Sequence, residues 1–236
     1  MIIGLALTLA ATQSNATDYL LVLGDSFAQR NGLCTATDTR ETCEAAGRIN
    51  HDAEFTQYLF AYSRNTLAPI YNAGRGGDTC NGKGYYTTGI KAGQPIGLLP
   101  YLKASGISNP VNAVSVLIGY NDINGAMQAT PEDTVDCIEG IWKDLEARGL
   151  SIIAMTYPLP TLVPYDAVRV ENVKRLNGLI VERAAMFTKV SKVGFRLVRF
   201  DTGIKVKPVD IAEYDGLHPT QSMAKDMAKK IVGLLN

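Results

Sequence analysis
The sequence predicts an α/β protein built on a five-stranded parallel sheet with helices on both faces. Three observations lead there. Five short apolar or β-branched runs recur along the chain at residues 19–24 (YLLVLG), 69–73 (PIYNA), 113–119 (AVSVLIG), 151–157 (SIIAMTY) and 196–200 (RLVRF). Stretches of helical period and length lie between them, which is the alternation expected of parallel strands joined by crossover helices. VSVLI and SIIAM read as near-continuous apolar runs, as strands covered on both faces do.

The helical stretches are justified by their boundaries. Residues 131–148 begin with a proline, whose fixed φ suits a first turn, and Gly149 stands just past their end. Residues 53–65, 167–189 and 221–235 carry the same apolar spacing. No repeat or linker interrupts the series. With 236 residues, 46% hydrophobic and 19% charged, the composition suits one compact domain with a sizeable core. Twenty-three basic residues balance twenty-three acidic ones, and no polybasic run appears. That balance provides no field to gather nucleic acid or an anionic membrane, and it points to a small ligand.

Residues 2–11 (IIGLALTLAA) form an apolar stretch, and the small residues Ser14 and Ala16 that follow suit a signal-peptidase site. The expectation is a signal peptide over residues 1–16 cleaved after Ala16, a single domain over 17–236, and a secreted or periplasmic protein. The alternative is a buried first element, since only Met1 and its amine precede the apolar run. That run is too short to span a bilayer, and nothing elsewhere approaches the roughly 20 apolar residues a spanning helix needs. Four cysteines, Cys34, Cys43, Cys80 and Cys137, permit three pairings. Cys34 with Cys43 would close a polar loop (TATDTRET), and Cys80 with Cys137 would pin the loop after Gly77. Neither CxxC nor a Cys/His ligand spacing is present, so no metal site is expected.

In an open α/β sheet, ligands bind outside the carboxyl ends of the strands. The first run leads into Gly24-Asp25-Ser26, the second into residues 72–79 (NAGRGGDT), and the third into Gly119-Tyr120-Asn121-Asp122. Residues 215–219 (DGLHP) precede the last helix and can reach the same rim. Ester cleavage needs a nucleophile, a base, a group that orients the base, and donors for the developing oxyanion. Ser26, after an apolar strand and a Gly-Asp step, is the candidate nucleophile; a plain helix cap is its alternative reading. The chain has two histidines, and His218 has Asp215 three residues earlier, close enough in a turn to bond its Nδ1 proton. His51 has no such partner. Gly77 and Asn121 are candidate oxyanion donors with the Ser26 amide. Turn chemistry is the alternative for both, and a phosphate loop is argued against by the lack of GxxxxGK[ST].

Taken together and in this order, GDS at 24–26, NAGRGGDT at 72–79, GYND at 119–122 and DGLHP at 215–219 resemble the SGNH, or GDSL-type, hydrolases, over residue 19 to the C-terminus. The resemblance implies a three-layer α/β/α sandwich of flavodoxin-like type. It also implies Ser26 as nucleophile, Asp215 and His218 as orienter and base, Ser26, Gly77 and Asn121 as oxyanion hole, and no cofactor. The pattern is not that of an α/β-hydrolase, because the fifth position of GxSxG is Ala28. Two residues depart from the family. Phe27 replaces the usual Leu, and Tyr120 stands where a small residue is common; each lines an acyl pocket or simply packs.

The expected reaction is hydrolysis of a small carboxylic ester, acetyl or short-chain acyl. Residues 81–93 (NGKGYYTTGIKAG) with Arg75 could wall a sugar site, which would make the substrate a glycan ester. A loop without a ligand role is the alternative. A lipid-directed esterase, lysophospholipase or thioesterase is the rival enzyme, and a catalytically silent glycan-binding module is the rival from another class. Oligomeric state is not readable from these residues.

Overall fold
A computed structural model describes residues 18–29, 55–63, 67–72, 74, 76–81, 90–91, 94–95, 112–125, 127–159, 167–207 and 217–235. The elements in chain order are β1 (Asp18–Gly24), α1 (Ser26–Gln29), α2 (Phe55–Tyr62), β2 (Leu67–Asn72), β3 (Ile90–Lys91), β4 (Gln94–Pro95), β5 (Ala113–Leu117), α3 (Tyr120–Asn124), α4 (Pro131–Ala147), β6 (Ser151–Met155), α5 (Ala167–Val190), β7 (Phe195–Val198) and α6 (Gln221–Leu235). Five strands form one sheet in the order β2-β1-β5-β6-β7, and every pairing in it is parallel. The predicted five-stranded parallel sheet is therefore present. A two-stranded antiparallel hairpin of β3 and β4 adds a feature not anticipated from the sequence.

The inner strands explain their own burial. Leu20, Leu21, Val22 and Leu23 are all fully buried, and Val114, Val116, Ile152, Ile153 and Ala154 nearly so, because helices cover both faces. On one face α2 packs against α6; on the other α4 packs against α5. Val135, Ile138, Trp142 and Leu145 give α4 its buried stripe at helical spacing. Thr130 caps that helix by accepting from the Asp133 amide at 3.0 Å, with Pro131 in the first turn. Gly149, just past its end, takes φ +72°, the left-handed value that closes a helix.

The strand ends differ from expectation for visible reasons. β5 stops at Leu117 rather than at 119 because Gly119 turns to φ +124°, where a Cβ would meet Thr134 Cγ2 at 2.7 Å. β6 stops at Met155 rather than at 157 because the backbone of Tyr157 bonds a side chain: its amide donates to Asn177 Oδ1 at 2.8 Å, and its carbonyl accepts from Asn177 Nδ2 at 2.9 Å.

Chain order along the sheet reverses between β1 and β5. From β1 the connection runs outward to β2, while from β5 it runs the other way to β6. Crevices open at such a switch point, at the carboxyl ends of the two strands. Gly24 is paired in register with Leu117, so β1 and β5 end side by side.

Candidate active site
Gly24 is fixed by crowding. A Cβ there would lie 2.5 Å from the Leu117 carbonyl oxygen and 2.7 Å from Ala28 Cβ, so only glycine lets the chain turn so close to β5. Beyond it the Asp25 amide still donates to the Leu117 carbonyl at 3.2 Å, and then the chain enters α1. Asp25 holds that turn with its own carboxylate, which accepts from the Phe27 amide at 3.0 Å. Ser26 is lifted at the first position of α1.

His218 reaches this serine from 192 positions away. Thr220 caps α6 by accepting from the Met223 amide at 3.4 Å, which fixes the entry of the preceding segment. Two residues earlier, His218 Nε2 lies 2.9 Å from Ser26 Oγ. With the ring proton on Nδ1, Nε2 accepts from the hydroxyl, the arrangement a general base needs. Phe27 supports the imidazole, with ring centroids 5.7 Å apart. Asp215 lies outside the described residues, as do Arg75, Cys34, Cys43 and His51.

The loop after β2 is tied to α3 and α4 by three links. Asn121 Nδ2 donates to the Asp78 carbonyl at 2.9 Å. The fully buried Asp122 carboxylate accepts from the Cys80 amide at 2.7 Å and the Asn81 amide at 2.6 Å. A disulfide joins Cys80 to Cys137 on α4, one of the two bridges expected. Burial pushes the Asp122 carboxyl above the usual carboxylate range, while the two amides hold it down. Gly77, one residue before Asp78, has φ +81°, a conformation that favours glycine. The structure thus brings Asn121 to the segment that carries Gly77, and brings Ser26 to His218.

Phe27 and Tyr120 do not stand as open walls. Phe27 is fully buried and Tyr120 is 5% exposed. The two rings pack on each other at 5.2 Å and on Tyr157, at 4.9 and 6.0 Å. For Phe27, which has no exposed surface, this is the packing alternative, and Tyr120 packs on the same two rings.

One polar network here escaped the sequence. Asp25, fully buried, accepts at Oδ2 from the Tyr157 hydroxyl at 2.7 Å, and the same phenol oxygen accepts from the Tyr120 amide at 3.1 Å. Burial pushes the Asp25 carboxyl up to about 6, against the Tyr157 and Phe27 hydrogen bonds and the nearby His218 charge, which lower it. Burial and the Asp25 charge together push the Tyr157 phenol well above its ordinary value, so it stays a neutral donor. A tyrosine ending an otherwise apolar strand run on the same rim was the available signal.

A hydroxyl in contact with an imidazole can transfer an acyl group. Among the described residues, no cluster of three or more His, Cys, Asp or Glu could hold a metal ion, and no helix is long and apolar enough to cross a membrane. A search of curated proteins finds no match. Solved structures with the same fold include a carbohydrate acetylesterase family member from Sinorhizobium meliloti, with TM-score 0.64 and 17% identity over 92% of this chain and 97% of that one. Another is the inhibitor-bound aryl esterase of M. smegmatis, with TM-score 0.62 and 16% identity over 92% and 98%. At such identities the likeness concerns the fold. The family model for GDSL-like lipase/acylhydrolase matches residues 20–231, nearly the whole chain. This chain belongs to the GDSL-like lipase/acylhydrolase family and is an ester hydrolase.

Proposed function
We propose that this ester hydrolase cleaves small carboxylic esters, acetyl or short-chain acyl, through an acyl-enzyme on Ser26. The observation that carries the reading is the 2.9 Å separation of Ser26 Oγ and His218 Nε2. Ser26 Oγ attacks the ester carbonyl carbon as His218 Nε2 takes its proton. The tetrahedral oxyanion is held by the Ser26 and Gly77 amides and the Asn121 carboxamide. It collapses with loss of the alcohol, which receives the proton from His218. Water, deprotonated by the same nitrogen, then attacks the acyl carbon, and the second tetrahedral intermediate releases the acid as Ser26 Oγ leaves and takes back the proton from His218. Asp215 orients the imidazole through Nδ1. No cofactor enters these steps.

A glycan O-acetyl ester is the favoured substrate class. Supporting it are the Gly/Tyr/Thr-rich residues 81–93 with Arg75, and the fold shared with carbohydrate acetylesterases from Sinorhizobium meliloti. Residues 1–16 act as a signal peptide, and the mature protein is secreted or periplasmic; the apolar run and the small residues at 14 and 16 support this.

An acyl-chain series of p-nitrophenyl esters, with acetylated polysaccharides alongside, tests the proposal. Turnover should fall steeply beyond acetyl or butyryl, and Ser26→Ala should lower it by several orders of magnitude without loss of fold. A maximum at eight carbons or more would make the enzyme lipid-directed, and near-normal turnover in Ser26→Ala would remove Ser26 from the chemistry.

A further inference from the structure
Tyr157 has no part in that reaction scheme, yet its phenol sits where the two halves of the site meet. One partner, Asp25, directly precedes the nucleophile and holds the Phe27 amide on the other side of it. The second, the Tyr120 amide, opens α3 one residue before Asn121. Asn177 of α5 clamps the tyrosine backbone through both its amide and its carbonyl, so the phenol is aimed from a fixed base. Its ring is fully buried against Phe27 and Tyr120.

We infer that Tyr157 is a positioning residue of the ester-cleaving site, its hydroxyl joining the Ser26 turn to the Asn121 helix so that nucleophile and oxyanion donor keep their relative placement. The inference rests on the reading of Ser26 as nucleophile. One O–H bond and one N–H bond on a single oxygen leave it little freedom, because both partners are buried and have no water to turn to. The register of β1 with β5 ends at Gly24 and Leu117, where the Asp25 amide bonds the Leu117 carbonyl, and the Tyr157 hydroxyl adds a side-chain link between the two segments past that point. Burial keeps the Asp25 carboxyl up near 6, so at neutral pH it is an ionised acceptor that a neutral phenol satisfies well.

The test is Tyr157→Phe, which removes one oxygen and keeps the ring contacts. With p-nitrophenyl acetate, kcat should fall about 10- to 100-fold, the loss that a displacement of about 1 Å produces, while KM stays within about twofold because Tyr157 touches no substrate. Labelling of Ser26 by a fluorophosphonate should slow by a similar factor, with the circular dichroism spectrum unchanged. Asp25→Asn leaves one oxygen for two donors and should show the same split between kcat and KM. The double variant should be no slower than the worse single one, as members of one network are not additive. Should Tyr157→Phe fail to fold, Asp25→Asn carries the test by the same readouts. Folded variants with kcat within about twofold of the parent, or with KM changed and kcat kept, overturn the inference. A parent protein that neither turns over nor labels overturns the nucleophile reading and this inference with it, an outcome distinct from an active parent whose variants are equally active.

Discussion

Asn121 and Asp25 show what single side chains contribute. Asn121 is bonded to the Asp78 carbonyl, so its carboxamide is already oriented before any ester arrives. In its proposed role as an oxyanion donor, its replacement by alanine should lower kcat by a factor of about 10² to 10³, corresponding to about 3–4 kcal/mol, with a smaller change in KM; steady-state kinetics checks this, and an unchanged kcat would contradict that role. Asp25 affects stability. Its native carboxyl keeps its proton up to about 6, whereas its ordinary value is 3.8, so the folded protein binds more protons than the unfolded chain between those limits. Stability from this residue is therefore lost as pH rises from about 4 to about 6, by about 3 kcal/mol in all. Denaturant unfolding at pH 4.5 and 7 should show that Asp25→Asn flattens this part of the pH dependence; identical profiles for parent and variant would contradict it. Ser26 and His218 could be picked out from neighbouring residue types. Tyr157 stands at the end of a strand run on the same rim, but its role was not legible, because its partner Asp25 lies 132 positions away and the phenol's other bond is to the Tyr120 amide.

The elements around the site are held by few links, each with a distinct job. The segment that carries Gly77 is anchored to α3 by Asp122 and to α4 by the Cys80–Cys137 disulfide, which spans 57 positions. Closing a loop of that length restrains the unfolded chain, and its removal by Cys80→Ser with Cys137→Ser should cost about 2–4 kcal/mol in denaturant unfolding. Asp122 would still hold the two loop amides in that variant, so esterase activity should fall less than in Asp122→Ala, where the Cys80 and Asn81 amides both lose their acceptor. A larger loss in the disulfide variant than in Asp122→Ala would show that the bridge, and not the carboxylate, sets the loop. α4, α5 and α6 were legible from apolar spacing and punctuation, as Pro131 and Gly149 illustrate. Strand ends were less so: β6 ends where an asparagine from α5 captures the backbone of Tyr157, and nothing local to SIIAMTY announces that partner. The β3–β4 hairpin was missed because two-residue strands carry no periodicity.

Across the whole molecule, the sheet order β2-β1-β5-β6-β7 places β1 and β5 at the reversal, and their two loops are the ones that carry Ser26 and Asn121. The fold was readable because mostly apolar runs alternating with amphipathic ones leave few other arrangements. The convergence of Ser26 with His218 was not readable from pattern, since the two are 192 positions apart. It followed only from the rule that ligands gather at strand carboxyl ends and from the family resemblance. That convergence is the central claim, and covalent labelling probes it most directly. Intact-mass and peptide analysis after treatment with a fluorophosphonate should find one adduct per chain, on Ser26, and His218→Ala should slow its formation by orders of magnitude. An active parent enzyme that gains no adduct, or carries it on another residue, would contradict the account.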